Sequence, residues 1–217
     1  MIKMKILELF CGTKSISKEF KAAGHQNFTI DNDPKHEPDL CCDILDFDIK
    51  QLPKEWQNPD IVWASPPCTT FSVAGRSSNY TDFMPNSVNA CLGLAYVYKT
   101  LSLIQELKPK FWFIENPRGY LRKFPFMEML QRKTVTYCQY GDNRMKPTDI
   151  WTNNGSWIPK KRCKNNYNCH IEAPRGSQTG TQGLENPELR SIIPKLLAQE
   201  IVMVCEGSIP IIQTVLK

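Results

Sequence analysis

Two short apolar runs, each ended by proline, constrain the fold of this chain more than any other feature of its sequence. Residues 61–64 read Ile-Val-Trp-Ala and lead into Ser-Pro-Pro-Cys, while residues 110–114 read Lys-Phe-Trp-Phe-Ile and lead into Glu-Asn-Pro. Runs of this length, rich in β-branched and aromatic residues, predict strands buried on both faces of a sheet. Because proline has no N–H to donate, each strand is expected to end where its polar residues begin.

Each predicted strand end carries a reactive side chain, Cys68 after the first run and Glu115 after the second. The carboxyl ends of parallel strands lie at one edge of an open α/β sheet, where such sheets bind ligands, so the two side chains are expected to share a pocket. A thiol there can act as a nucleophile, and a buried carboxyl group has the raised pKa that a general acid needs. A structural cysteine and a solvated or helix-capping glutamate are the alternatives.

The first part of the chain follows the order strand, glycine turn, helix, strand, acidic residue. Residues 5–10 and 28–30 predict the two strands. Nucleotide-like ligands contact the backbone N–H groups of such a turn, and the acidic residue, here Asp31, accepts ribose hydroxyl hydrogen bonds. Only one glycine, Gly12, lies in the turn, so an ordinary turn followed by an exposed aspartate is equally compatible. Asp43 follows a third short strand and is expected either to bind an adenine amino group or to cap the next turn.

The middle of the chain predicts a polar loop followed by one long helix. Residues 76–83 are polar and lack periodicity, which favours either a lid over the nucleophile or a plain surface loop. Val88–Leu107 is predicted to be a helix that ends before Pro109. The residues expected to face the core are Leu92, Ala95, Tyr96, Lys99, Leu103, Ile104 and Leu107.

A basic turn follows, between two further predicted strands. Residues 134–138 and 149–151 are expected to pair antiparallel. Arg144 and Lys146 alternate along the extended segment between them, so both are expected to face the same side. They are candidates to hold a phosphate or a base carbonyl oxygen, and a solvated basic edge is the alternative.

The composition changes at residues 153–183, which are rich in Asn, Gly, Pro and Lys. Trp157 and Tyr167 lie among basic residues there, a mixture that suits phosphates and unstacked bases. The net charge of +5 over 217 residues permits a nucleic-acid partner without establishing one. Residues 184–217 are expected to return as a helix to the single α/β domain.

Cysteine usage indicates a reducing, cytoplasmic compartment. The nine cysteines form neither a repeating framework nor a C-x-x-C pair. Cys163, Cys169 and His170 lack a standard zinc spacing and a clear fourth ligand, so we predict free thiols and no metal site, with zinc left open. No apolar stretch reaches the ~18 residues of a membrane helix, so no membrane association is expected.

The chain resembles the cytosine-5 DNA methyltransferases in five ordered stretches. They are Phe10-x-Gly12, Asp31, Asp43-Ile44, the string Pro67-Cys68-x-x-Phe-Ser-x-Ala-Gly75, and Glu115-Asn116. The string around the cysteine is highly specific. The resemblance runs from about Ile6 to Trp151 and returns weakly at residues 190–194. It implies a Rossmann-like S-adenosylmethionine-dependent methyltransferase sheet with helices on both faces and a small irregular insertion.

The resemblance also implies roles for individual residues. The cofactor would be S-adenosylmethionine, bound by Phe10, Cys11, Gly12, Thr13, Asp31, Asn32, Asp43, Ile44, Pro66 and Ser191. The catalytic residues would be Cys68, Glu115, Arg144 and Lys146. In this chemistry the Cys68 thiolate adds to carbon 6 of a cytosine flipped out of DNA, Glu115 hydrogen-bonds or protonates N3, and carbon 5 accepts the methyl group. Restriction–modification is one implied role.

Several departures from the family pattern keep alternatives open. Thr69 replaces the usual glutamine, and the Gln-x-Arg-x-Arg motif appears only as Arg144-Met-Lys146-Pro-Thr148, which leaves open which basic residue contacts the substrate.

The catalytic region would span residues 1–152. Target recognition would be confined to residues 153–183, so selectivity would be short, relaxed or supplied by a partner. An RNA cytosine-5 methyltransferase, a silent nucleic-acid-binding relative and an amino-methyltransferase are the alternatives; the last lacks the aromatic residue that its class needs after Ser-Pro-Pro.

Overall fold

The computed structural model describes residues 3–73, 75–164, 168–172 and 186–208. The strands are β1 (Lys5–Leu9), β2 (Gln26–Asp31), β3 (Leu40–Cys41), β4 (Ile61–Ala64), β5 (Tyr80–Thr81), β6 (Met84–Pro85), β7 (Phe111–Pro117), β8 (Arg132–Thr136) and β9 (Pro147–Thr152). The helices are α1 (Ser15–Ala22), α2 (Arg76–Asn79), α3 (Val88–Leu107), α4 (Pro125–Glu128), α5 (Pro187–Ser191) and α6 (Lys195–Cys205).

Seven strands form one sheet in the order β3-β2-β1-β4-β7-β9-β8. Within this sheet, β3, β2, β1, β4 and β7 each pair in parallel with the next strand in that order. Strand β9 runs antiparallel to both β7 and β8. In the pairing of β4 with β7, Ile61 lies beside Phe111 and Ala64 beside Ile114. The two apolar runs are therefore adjacent parallel strands that lead to the same edge of the sheet, as predicted. The predicted end of the second strand at Ile114 is wrong, because β7 continues to Pro117 through its antiparallel pairing with β9.

Helices cover both faces of this sheet. Trp63 and Phe113 pack on one face with Ile16 of α1 and Ile201 of α6. Their neighbours in β4 and β7 point to the opposite face, into a core that includes residues of α3. Because both faces are covered, every residue of β4 is buried, which explains its continuous apolar sequence. The predicted α/β class, with helices on both faces, is confirmed.

The bounds of α3 are as predicted, but its buried face differs in part. Leu103, Ile104 and Leu107 are buried, whereas Leu92 is 42% exposed and Ala95, Tyr96 and Lys99 are only half-buried. The rest of the buried face consists of Ala90, Gly93, Val97 and Thr100. A β-carbon at Gly93 would collide with Thr70 Oγ1 of the loop after β4. Close approach of this loop therefore selects small residues, which an apolar periodicity does not detect.

The polar segment before α3 is structured, so the predicted loop at residues 76–83 is wrong. It forms α2 and the first strand of the β5–β6 hairpin. Tyr80 is buried and its ring stacks on Phe71 at a centroid distance of 5.8 Å. Burial of this aromatic residue offsets the polar character of the segment.

Smaller differences concern strand ends. The predicted strand at residues 134–138 begins and ends two residues earlier, as β8, and a 3-10 turn covers Tyr137–Tyr140. The predicted antiparallel partner is β9, and the predicted C-terminal helix is α6. Within the described residues, no helix has the length and apolar character needed to cross a membrane.

Candidate active site

The loop after β4 holds Cys68 at the carboxyl edge of the sheet. Cys68 immediately precedes a 3-10 turn, Thr69–Phe71, and its side chain is exposed. Phe71 is buried, and its N–H donates to the Cys68 carbonyl oxygen at 3.0 Å. Thr70 Oγ1 lies 3.2 Å from Tyr80 Oη. The thiol is thus presented to solvent on a backbone whose neighbouring side chains are fixed in the core.

The end of β7 is held directly against this loop. Asn116 is fully buried, and its Nδ2 donates to the Pro66 carbonyl oxygen at 3.0 Å. The Tyr120 N–H donates to the Phe71 carbonyl oxygen at 2.7 Å. A β-carbon at Gly119 would collide with that same oxygen, so this approach requires glycine. These contacts fix the cysteine loop relative to Glu115, which precedes Asn116.

Glu115 is buried and has a tyrosine partner that the sequence did not indicate. Tyr137, fully buried in the turn after β8, donates from Oη to Glu115 Oε1 at 3.1 Å. Burial, together with the charge of Glu115, raises the pKa of Tyr137 well above its usual value. The phenol therefore stays protonated and remains a hydrogen-bond donor to the carboxyl group.

The charges around Cys68 oppose one another. Desolvation raises the pKa of the Cys68 thiol, and the nearby charge of Glu115 raises it further, while Lys146 and Arg190 act in the opposite direction. The side chain is reached by solvent but has protein on most sides, which accounts for the desolvation. The resting protein therefore holds a protonated thiol. Sequence reasoning had not identified Arg190 as a neighbour of Cys68.

Arg144 and Lys146 are buried and are bound to the segment that includes α5. Arg144 forms an ion pair with Asp142, and its guanidinium donates to the carbonyl oxygens of Leu189 at 2.7 Å and Ile192 at 3.2 Å. Lys146 Nζ donates to the Arg190 carbonyl oxygen at 2.9 Å and lies 4.8 Å from the centre of the Tyr137 ring. In this structure both cations connect the C-terminal segment to the pocket of Glu115.

The turn after β1 forms a second part of the site. Phe10 and Gly12 have positive φ angles of 55° and 44°. Asp31, at the end of β2, accepts from the Gly12 N–H at Oδ2 and from the Asp33 N–H at Oδ1, both at 2.9 Å. A carboxylate has about four acceptor positions, so Asp31 retains capacity for ligand hydroxyl groups. A positive φ at a bulky residue such as Phe10 is an uncommon and strained backbone conformation.

Asp43 caps the turn that follows it, which was one of its two predicted roles, and it also accepts a hydrogen bond from Tyr96. Its Oδ1 accepts from the Leu45 N–H at 2.9 Å, which caps the turn, and its Oδ2 accepts from Tyr96 Oη at 2.8 Å. The Tyr96 ring packs edge-on against Phe10 at 5.7 Å. The sequence interpretation of Tyr96 as a core residue missed these contacts. Ile44, next to Asp43, is buried.

The remaining predicted cofactor residues lie around the same edge. Cys11 is buried, and Thr13 Oγ1 lies 2.7 Å from Ser15 Oγ. Asn32 is exposed. Ser191 is exposed and donates from Oγ to the Glu188 carbonyl oxygen at 2.7 Å, and the Ile193 N–H donates to Ser15 Oγ at 3.3 Å. The C-terminal segment therefore reaches the turn after β1.

A basic surface adjoins the cysteine loop. One cleft of about 310 Å³ is lined by Arg118, Thr134, Thr136, Met145, Pro147, Lys161, Arg162, Cys163 and Lys164. A second is lined by Val73, Arg118, Gly119, Arg122, Lys123, Glu128 and Arg132. Arg118 belongs to both clefts, and Val73 follows the nucleophile loop and is 77% exposed. The lining of these two clefts, here called the basic face, includes one acidic residue, Glu128, among its lysines and arginines, and such a surface suits a polyanion.

Trp157 does not belong to this surface, so its prediction as a base-stacking residue is wrong. It is fully buried, and its Nε1 donates to Glu200 Oε1 of α6 at 2.8 Å. The start of the predicted recognition segment is therefore part of the core of the domain. Tyr167 and residues 173–183 lie outside the described residues.

The sequence of this chain is similar to those of known DNA methyltransferases. The sequence model of the family described as C-5 cytosine-specific DNA methylase matches residues 4–132. The chain is 30% identical over 228 residues to a probable DNA (cytosine-5)-methyltransferase of Frog virus 3 (isolate Goorha), covering 93% of this chain and 100% of that protein. It is 26% identical over 126 residues to the type II methyltransferase M.FnuDI of Fusobacterium nucleatum, covering 55% of this chain and 34% of that protein.

A solved structure shows the same fold. The Entamoeba histolytica methyltransferase EhMeth superposes with a TM-score of 0.52 at 14% sequence identity, over 76% of this chain and 58% of that one. The chain thus spans the whole of its viral relative but about a third of the bacterial relative. The structural similarity confirms the predicted Rossmann-like methyltransferase sheet.

Proposed function

The chain belongs to the C-5 cytosine-specific DNA methylase family, and from that premise we propose that it transfers a methyl group from S-adenosylmethionine to carbon 5 of cytosine in DNA. One observation carries the proposal. The exposed thiol of Cys68 and the buried carboxyl group of Glu115 lie at adjoining strand ends, which the Asn116–Pro66 hydrogen bond holds together. Addition to a pyrimidine needs both a nucleophile and a group that takes up the developing charge.

The turn after β1 fits S-adenosylmethionine. Apart from Gly12 and its two chain neighbours, no residue has an atom within 4 Å of the place that a β-carbon at Gly12 would occupy, so a ligand can approach the backbone there. We assign Asp31 to the ribose hydroxyl groups, and Asp43 with Tyr96 and Phe10 to the adenine. When bound, S-adenosylmethionine supplies an electrophilic methyl group on its sulfonium sulfur.

Cys68 and Glu115 divide the chemistry on the cytosine ring. The Cys68 thiol loses its proton to solvent, and the resulting thiolate forms a bond to carbon 6. The ring electrons move towards N3, which takes a proton from the acid form of Glu115. Carbon 5 becomes the nucleophilic end of an enamine and would accept the methyl group as the methyl–sulfur bond breaks and its electron pair stays on sulfur, which leaves as a neutral thioether. A base then removes the proton from carbon 5, the electron pair expels the Cys68 thiolate, N3 returns its proton to Glu115, and the aromatic ring is restored.

The positive charges near Cys68 favour the ionised thiol. Lys146 and Arg190 lower the pKa of Cys68 against the effect of desolvation. A cation placed near a thiol in this way increases its thiolate fraction. We assign Lys146 to this role, and Arg144 to positioning of the C-terminal segment through the Leu189 and Ile192 carbonyl oxygens.

The basic face supports DNA as the substrate. Its cations line two clefts, and the second includes Val73 and Gly119 beside the nucleophile loop, where the phosphates on either side of a flipped nucleotide would lie. A cytosine inside a duplex cannot reach a thiol held at a sheet edge, so the base must be flipped. The contacts of such a face are with the backbone and do not by themselves select a sequence.

Methyl transfer to matched DNA and RNA duplexes tests the proposal. We expect product nucleosides from the DNA reaction to contain 5-methyldeoxycytidine, and we expect Glu115→Gln to reduce its formation on the order of a hundredfold. Methylation confined to RNA would contradict DNA as the substrate and identify the protein as an RNA methyltransferase. A methyl group on the exocyclic nitrogen would contradict methylation of carbon 5 and identify an amino-methyltransferase.

A further inference from the structure

Three cysteines and one histidine converge beside the basic face. Cys138, Cys163, Cys169 and His170 place their Sγ and Nδ1 atoms within 4.8 Å of one another. Cys163 Sγ lies 3.4 Å from Cys169 Sγ and 3.6 Å from His170 Nδ1, and Cys169 Sγ lies 3.7 Å from the same nitrogen. The fourth ligand that the sequence did not reveal is Cys138, which belongs to the turn after β8.

The three separations among Cys163, Cys169 and His170 are close to the edges of a zinc tetrahedron, and Cys138 Sγ lies within 4.8 Å of all three atoms. Bonds of about 2.3 Å to sulfur and about 2.0 Å to nitrogen place tetrahedral sulfurs ~3.8 Å apart and sulfur ~3.5 Å from nitrogen. Sulfur-rich sets with one imidazole select zinc over magnesium or calcium, which prefer oxygen. Four protein ligands leave no open position, so such a site is structural.

The surrounding contacts hold the ligands in place. The Cys163 N–H donates to Thr136 Oγ1 at 2.8 Å, and Gln139 Nε2 donates to Cys169 Sγ at 3.2 Å. The Ile171 N–H donates to the Asn143 carbonyl oxygen at 2.9 Å. Hydrogen-bond donors to sulfur and backbone contacts that fix ligand orientation are the usual support of a metal site.

We propose that Cys138, Cys163, Cys169 and His170 bind one structural zinc ion. The ion connects the turn after β8 to the segment after β9 and adds to the hydrogen bonds that already join them. Cys138 follows Tyr137, the hydrogen-bond donor to Glu115. Zinc would therefore fix the basic segment that includes Lys161 and Arg162 relative to the catalytic pocket.

Metal analysis of the purified full chain tests the site without reference to methyl transfer, so its failure is distinguishable from failure of the proposed function. Protein produced with added zinc is expected to retain about one zinc ion per chain after dialysis. Cys163→Ser and His170→Ala are expected to lose most of it, whereas His170→Cys, which restores four ligands, retains it. Cys91→Ser is the matched control, because Cys91 is an exposed cysteine of α3 outside the cluster.

Two further measurements keep the test independent of variant folding. Replacement by cobalt in the wild-type chain should give the visible absorption of tetrahedral thiolate coordination, and a chelator should lower the wild-type melting temperature. Zinc-free wild-type protein with nine titratable thiols would overturn the proposal in favour of a simple thiol cluster. Two fewer thiols, with no metal, would overturn it in favour of a Cys163–Cys169 disulfide.

Discussion

Tyr137 Oη donates a hydrogen bond to Glu115 Oε1 at 3.1 Å, in a part of the core where both side chains are buried. The tyrosine comes from the turn after β8 and the glutamate from β7, so the contact joins two elements across the antiparallel strand β9. Lys146 lies over the ring of the same tyrosine. Tyr137 therefore orients the carboxyl group that we assign to N3 of the cytosine.

Tyr137→Phe removes this hydrogen bond and keeps the ring. We expect kcat to fall about tenfold, which corresponds to roughly 1.4 kcal/mol, because a carboxyl group that is no longer oriented stabilises the ring charge less well. Steady-state kinetics would measure the change, and the dissociation constant for S-adenosylmethionine should be unaltered. An unchanged kcat would show that the hydrogen bond only stabilises the fold.

Tyr96→Phe removes the hydroxyl group that donates to Asp43 Oδ2. We expect the dissociation constant for S-adenosylmethionine to rise about threefold to tenfold, because the carboxylate loses the partner that orients it towards the adenine. Calorimetric titration would measure the affinity. Tyr98→Phe is the matched control, since Tyr98 is 53% exposed on the same helix. Equal affinities for the two variants would contradict the assignment of Asp43.

Glu8 makes the stability of the fold depend on pH. It is buried in β1, accepts from the Ser17 N–H at 2.9 Å, and has its pKa raised by desolvation from 4.5 to about 7. In the unfolded chain the group ionises near 4.5, so between these values the folded state binds more protons than the unfolded state. The free energy of unfolding therefore falls as pH rises through this window, by up to about 3 kcal/mol, and no further above it.

Glu8→Gln removes this ionisation and keeps an acceptor for the Ser17 N–H. We expect the variant to be more stable than the wild type by about 1–3 kcal/mol near pH 8 and by little near pH 5. Denaturant unfolding at both pH values would measure the difference. A stabilisation that does not change with pH would show that Glu8 is not the group responsible.

The part of the site predicted from sequence lies on elements with strong local signals. The bounds of β4 and α3 follow from apolar runs with proline or polar ends, and parallel pairing then places Cys68 and Glu115 at one edge. What the sequence did not reveal depends on tertiary contact. Tyr96 has a helical spacing typical of a core residue, yet the position of Asp43 gives it a polar partner.

The same reason explains the missed fourth member of the cysteine–histidine cluster. Cys138 and Cys163 come from different elements, and only the antiparallel pairing of β8 with β9 brings them together. Metal-ligand spacing within one loop is visible in a sequence, but a ligand from another strand end is not. The prediction for Trp157 was wrong in the opposite sense, because it assigned a buried residue to the surface. The basic neighbours of Trp157 in the sequence gave no sign that its indole packs against α6.

Covalent capture of the nucleophile tests the central claim most directly. In a DNA duplex with 5-fluorocytosine at the target, fluorine replaces the proton that must leave carbon 5, so elimination of the cysteine stalls. With S-adenosylmethionine present, we predict that mass spectrometry of the wild-type chain shows a methylated DNA adduct on Cys68. Cys68→Ala should form none while binding the cofactor normally, and Cys91→Ser should behave as the wild type. Continued methyl transfer by Cys68→Ala, or an adduct on another cysteine, would contradict the account.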